Sequence, residues 1–149
     1  KQLNYIQKKF VDFHYHIYGS NTYLEKYGYP KNLNDLNKHK FITYGRGAPS
    51  PVFNPDWTLK LGIKDNKKRK PVMKVNSVYG LLLAVQSGVG LAALPDYITF
   101  NVPNITKILP NEEGPKTETH FVYPASLKNV ARVTAFRNFI FSKVSEWKF

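Results

Sequence analysis

Residues 75–97, VNSVYGLLLAVQSGVGLAALPDY, carry the reading that decides the fold. Asn76 or Ser77 can cap a helix, because a short side-chain oxygen accepts the orphan N–H groups of a first turn. Val78, Leu81, Leu82 and Val85 then recur at helical spacing and form an apolar stripe. Gly88 can supply the left-handed residue past the helix end. Val89 to Leu94 is a short, almost wholly apolar run, as expected of a strand covered on both faces, and Pro95 ends it. The sequence thus predicts a β–α–β unit. Such a unit presents free backbone N–H groups at the rim of a sheet, where small anions bind.

Outward from this unit, strands and helices alternate. Phe13–Tyr18 reads as a strand with alternating sides, with Asn21–Tyr27 a short helix ending at Gly28. Asn34–His39 reads as another helix, capped by Asn34, and Phe41–Tyr44 as a strand. Gly45–Pro55, GRGAPSPVFNP, is too rich in glycine and proline for regular structure. Trp57–Leu61, Val72–Val75, Ile105–Leu109 and His120–Tyr123 read as strands, with Asp96–Phe100 a single turn. The last helix runs from about Val130 to Val144 with Asn129 as its cap. Its stripe of Val130, Val133, Phe136, Ile140, Val144 and Trp147 reads as a core face. The fold class is α/β, a mixed sheet flanked by helices.

Several of these stretches resemble, in order, the effector-binding domain of LysR-type transcriptional regulators. They are IYGSNTYL (Ile17–Leu24) followed by Gly28-Tyr29-Pro30, LNDLNKHKFITY (Leu33–Tyr44), Trp57-Thr58-Leu59 and the SGVGLAALPDYI run. Leu109-Pro110, Val122-Tyr123-Pro124 and RVTAFRNFI (Arg132–Ile140) complete the set. The resemblance implies a periplasmic-binding-protein-like (type 2) second lobe with the returning C-terminal helix. Residues 13–124 would form that lobe, with 1–12 and 125–149 the crossover and a remnant of the first lobe. It further implies a C-terminal fragment, preceded in the whole protein by a helix-turn-helix that binds DNA, and homo-oligomers paired near the Ser77–Ser87 helix. Without a first lobe to cover it, the final helix should fold back on its own sheet or drive self-association.

Composition sets bounds. One domain of 149 residues can bury about two-thirds of its unfolded surface. No apolar run approaches the ~18 residues of a membrane span. The chain has no cysteine, which excludes disulfides and Cys-ligated zinc and suits a reducing compartment, so a cytoplasmic location is expected. The formal net charge of +12 raises a rival reading, a basic nucleic-acid-binding module acting through Lys67-Lys68-Arg69-Lys70. A solvated hairpin turn built on Asp65-Asn66 explains that cluster more simply. Only four of the 22 Lys and Arg residues are Arg, the residue suited to base and phosphate forks. A third reading, a secreted solute-binding protein, shares the expected two-lobed fold.

Catalytic patterns are absent from the sequence. His14 and His16 could share a metal from one face of a strand, but no third ligand stands nearby, and they read as the polar face of a sheet. His39 reads as a cation at a helix end. The serines lack a G-x-S-x-G elbow, the adjacent Glu112-Glu113 makes a poor acid/base pair, and the glycines form no phosphate fingerprint. No enzyme, metal or cofactor is expected. The resemblance places a small, anionic effector between the lobes. On this lobe it would be held by Thr43, Asn76 and Ser77, with Tyr44 and Arg46 as flanking contacts, Arg46 able to pair bidentately with a carboxylate, and Leu94-Pro95 as an apolar wall. This requires residues 43–46 and 75–77 to be neighbours on one rim of the sheet.

Overall fold

The computed structural model describes residues 4–45, 56–64 and 67–147. Arg46, most of the glycine- and proline-rich loop and the Asp65-Asn66 turn lie outside these residues. In chain order the elements are β1 (Tyr5–Phe13), β2 (Tyr15–Ser20), α1 (Asn21–Tyr27), β3 (Ile42–Tyr44), α2 (Trp57–Lys60), β4 (Met73–Val75), α3 (Val78–Gln86), β5 (Ala92–Pro95), α4 (Asp96–Thr99), β6 (Ile105–Ile108), β7 (Thr117–Pro124) and α5 (Ala131–Ser145). Short 3₁₀ turns occupy Asp35–Lys38 and Ala125–Leu127. The chain divides into two compact units, His14–Lys116 and Lys1–Phe13 with Thr117–Phe149.

In the larger unit, β2 lies between β5 and β6, antiparallel to both. β3 and β4 pair in parallel, with Thr43 opposite Lys74 and Tyr44 opposite Val75. A parallel bridge between Phe41 and Leu91 joins that pair to the approach to β5, with Ile42 N–H donating to the Leu91 carbonyl at 2.8 Å. The result is the mixed sheet the sequence predicts. Its pleat sorts adjacent residues into two cores. Ile17, Phe41 and Leu91 pack with Tyr23, Leu24, Leu36, Leu59 and Ile108. Their neighbours Tyr18, Ile42 and Ala92 pack with Leu81, Leu82, Val85 and Leu94. Because both faces are covered, every residue of β2 is buried, so the expected alternation of buried and polar sides at Phe13–Tyr18 does not occur.

The β–α–β reading holds, with the second strand at Ala92–Pro95 instead of the expected Val89–Leu94. The Ser77 hydroxyl accepts from Gly80 N–H at 3.2 Å and caps α3, whose Leu81, Leu82 and Val85 are buried. Gly88 adopts φ +73°, the left-handed value that closes the helix without a Cβ penalty. Three expectations are corrected. Trp57–Lys60 is a helical turn instead of a strand. Asn34–His39 forms only a 3₁₀ turn, and the Asn32 carboxamide, not Asn34, accepts the N–H groups of Asn34 and Asp35 at 3.0 and 3.2 Å. His39 is half-buried against the Tyr23 ring, and desolvation holds its pKa below the usual 6.5, which disfavours the expected cation.

The smaller unit is an antiparallel ribbon of β1 and β7, with α5 packed on it. Phe10 and Phe121 meet Phe141 at ring separations of 5.1 and 6.2 Å, and Phe121 meets Phe136 at 6.3 Å. The expected core stripe is not buried: no α5 residue is, and Phe136 and Trp147 are 58% and 50% exposed. A two-stranded ribbon is too narrow to cover it. Val130 takes the cap position that Asn129 was expected to fill, with no side-chain capping bond.

Candidate ligand-binding cleft

At the carboxyl end of β3 the chain meets the start of α3. Gly45 N–H donates to the Val75 carbonyl and the Tyr44 hydroxyl to the Asn76 carbonyl, both at 2.8 Å. Residues 43–45 and 75–77 therefore form one rim, as the sensor reading requires. Beside this rim is a small cleft lined by Tyr15, Ile42, Thr43, Tyr44, Trp57, Thr58, Val78, Leu81, Ala93 and Pro95. Of the six expected site residues, Thr43, Tyr44 and Pro95 line it. Asn76 and Ser77 stand exposed at its rim, and Arg46 falls outside the described residues.

The cleft's chemistry comes from atoms that hydrophobic neighbours hold away from water. Thr43 is 3% exposed and Thr58 1%, yet neither hydroxyl has a hydrogen-bond partner among the described residues. The Trp57 indole N–H is likewise buried and unpaired. Each such group costs about 1–3 kcal/mol, and three in one cleft demand a reason. An indole N–H only donates and a hydroxyl donates or accepts, so together they suit an acceptor oxygen such as a carboxylate's. Gly114 fixes the indole, since a Cβ there would lie 2.6 Å from the ring. Sequence reading missed Thr58 and Trp57 as site residues because Trp-Thr-Leu alternates like a strand. The available signal was a small hydroxyl between two large apolar residues.

Behind the cleft, Pro95 leads into a buried polar cluster. The Asp96 carboxylate accepts from the Tyr18 hydroxyl at 2.8 Å and Lys107 Nζ at 3.0 Å, with His16 Nδ1 at 2.9 Å. Burial pushes its carboxyl up, but the bonds from Tyr18, His16 and Lys107 outweigh this and hold it below the usual 3.8. Burial drives the Tyr18 phenol well above 10.0. His16 is thus a buried partner of Asp96, not the polar face expected, and His14 pairs with Glu113. Among the described residues there is no group of three or more His, Asp or Glu placed to hold a metal.

Residues 3–144 match the LysR substrate binding domain family. The chain belongs to that family. Over 114 residues it is 33% identical to an uncharacterized HTH-type transcriptional regulator of Haemophilus influenzae, covering 73% of this chain and 38% of that protein. The regulatory domain of CrgA, a LysR-type regulator from Neisseria meningitidis, superposes with a TM-score of 0.72 at 18% identity, over 93% of this chain and 68% of that one. The regulatory domain of AphB from Vibrio vulnificus gives 0.64 at 15% identity, over 96% of this chain and 70% of that one. The chain spans about two-fifths of its curated relative and half of the chain in a second CrgA structure. Family membership makes the chain a LysR-type effector-binding domain, in preference to a solute-binding protein or a basic nucleic-acid module. No helix among the described residues is long and apolar enough to cross a membrane.

Proposed function

We propose that this chain senses a small anionic effector held by Thr43, Thr58 and Trp57, with Tyr44, Asn76 and Ser77 at the rim and Pro95 as an apolar wall. The observation that carries this is that three of the residues lining one cleft each bury a polar atom that has no partner among the described residues. The cavity volume is about 20 Å³, room for about one water, so a bound effector keeps most of its surface outside this unit. The rest of its enclosure comes from another surface of the longer regulator. Effector binding then biases that regulator between two arrangements, which a ligand can do only through unequal affinity for them. The longer protein binds DNA through a helix-turn-helix, as the description of the H. influenzae relative supports. It acts as a cytoplasmic homo-oligomer and carries no catalytic activity.

A panel of aliphatic and aromatic carboxylates, screened by thermal shift against the 149-residue chain, tests the cleft. At least one should raise Tm, and the rise should vanish in Thr43→Val/Thr58→Val. Equal shifts in the variant and the parent chain would move the site elsewhere.

A further inference from the structure

A second concavity lies beside the cleft and shares Tyr44 with it. Its other lining residues are Asp56, Leu59, Lys68, Arg69, Lys70, Pro71 and Lys74, and its volume is about 180 Å³. Four cationic side chains face one carboxylate, which leaves the lining with a formal charge of +3. Arg69 is not available to a ligand. Its Nη1 donates to the Thr58 and Leu61 carbonyls at 2.9 and 2.8 Å, and Nε and Nη2 donate to the Asn37 carboxamide at 3.0 and 2.6 Å. The guanidinium also sits 5.2 Å from the centre of the Phe41 ring. Among the described residues every acceptor it uses is neutral, and its bonds anchor the segment. The Arg69 N–H, bound to the Leu59 carbonyl at 2.9 Å, fixes the same stretch of backbone. These bonds anchor the segment that follows the undescribed Asp65-Asn66 turn, and Lys68 and Lys70 flank the anchor. Lys74 is added from β4. Among the described residues none of these three lysines pairs with a carboxylate.

We infer that Lys68, Lys70 and Lys74 form a binding site for a phosphoryl group. Lysine ammoniums are compact point charges. Three of them around one concavity suit a compact dianion whose charge is shared over three oxygens, whereas a planar carboxylate is matched best by an arginine fork, and Arg69, the one arginine among the described lining residues, is engaged. Pockets that enclose a whole small molecule run to about 300–1,000 Å³, so this one takes a charged group. Gathering like charges around a hollow is unfavourable until an anion enters, and the half-buried Arg69 charge beside them adds to the attraction.

Isothermal titration of the 149-residue chain with inorganic phosphate, phenyl phosphate and pyrophosphate tests this, with benzoate as the carboxylate control. At least one phosphoryl probe should bind, more tightly than benzoate. A tighter fit for phenyl phosphate than for phosphate would identify an ester as the source of the group; the reverse order would identify the free anion. The triple variant Lys68→Gln/Lys70→Gln/Lys74→Gln should weaken binding roughly tenfold or more. The matched variant Lys8→Gln/Lys26→Gln/Lys128→Gln, with the same change in charge, should leave it within about twofold. Acetylation footprinting of the parent chain gives a readout independent of any variant: pyrophosphate should shield Lys68, Lys70 and Lys74 and not Lys8 or Lys128. Equal losses in the two variants, no selective shielding, or duplex DNA binding through these lysines that pyrophosphate does not displace would overturn the assignment.

Discussion

The Tyr44 hydroxyl donates to the Asn76 main-chain carbonyl at 2.8 Å, tying the end of β3 to the residue that precedes the α3 cap. Together with Gly45 N–H on the Val75 carbonyl, it holds two turns that are 30 residues apart in sequence as one rim. Tyr44 also lines both concavities, so this bond positions their shared wall.

Tyr44→Phe removes the hydroxyl and keeps the ring. The Asn76 carbonyl is at an exposed rim where water can replace the donor, so the loss should be modest. Urea unfolding should show a decrease of about 1 kcal/mol with unchanged m-value. A fall of several kcal/mol would mean that the rim depends on more than this bond.

The unpartnered hydroxyls lead to an opposite expectation. Thr43→Val and Thr58→Val exchange a buried, unpaired hydroxyl for a methyl of similar shape. Each variant should gain roughly 1 kcal/mol in the absence of ligand, while losing the carboxylate response proposed for the cleft. This combination distinguishes a binding site from a packing defect, which would gain stability with nothing to lose.

The helix cap offers a further check. The bond from Gly80 N–H to the Ser77 hydroxyl satisfies one orphan donor of α3. Ser77→Ala should cost about 1 kcal/mol, and Ser77→Asp should restore most of it, because a carboxylate both accepts the bond and complements the helix dipole. Chemical denaturation of the two variants side by side would show whether the hydroxyl acts mainly as a cap.

How far the molecule was legible in its sequence depended on how local each signal was. Ser77, Gly88 and the apolar spacing of α3 each act within a turn or two, and all three read correctly. Trp57–Lys60 did not. Over five residues, W-T-L-K-L satisfies a period of two as well as a helical turn does, and periodicity needs a longer run to discriminate. β1 was missed because YIQKKFVDF carries charge through its centre, as an exposed ribbon strand can when only one partner pairs with it. Thr43 emerged from the family resemblance. Thr58 and Trp57 became visible only when the fold placed them in one cleft with Thr43, since an unpaired hydroxyl is a property of surroundings that no short motif records. Arg69 likewise looked like part of a charge run, yet its acceptors come from residues 8 to 32 positions away.

The Asp96 cluster should leave a mark on acid stability. The carboxyl is held below its usual 3.8 in the folded state, so the unfolded chain takes up the proton first. The associated stability is fully present above about pH 4 and is lost as pH falls through the folded value. Asp96→Asn keeps the shape and removes the charge that Lys107 and Tyr18 bind. It should cost about 1.5–3 kcal/mol near neutrality and flatten the acid limb of the stability curve. Urea midpoints measured between about pH 6 and pH 3 would show it. An unchanged acid slope would mean that other carboxylates carry the dependence.

The aromatic face of α5 should govern how the chain behaves in solution. Phe136 and Phe139 are each 58% exposed, and no residue of the helix is fully buried. Covering a large side chain is worth about 1.5–3 kcal/mol, and contiguous exposed apolar surface tends to find a partner. Phe136 meets Phe121 with most of its own surface exposed, whereas Phe141 is engaged with both Phe10 and Phe121 and holds the helix to its ribbon. Phe136→Ser/Phe139→Ser should therefore shift the chain toward monomer in sedimentation velocity at micromolar concentration, with little change in Tm. Phe141→Ser should lower Tm by removing the packing that seats α5, without favouring monomer. If the parent chain already sediments as a single monomer, exposed aromatics on this helix do not drive association, and the self-pairing expected of an uncovered stripe is lost.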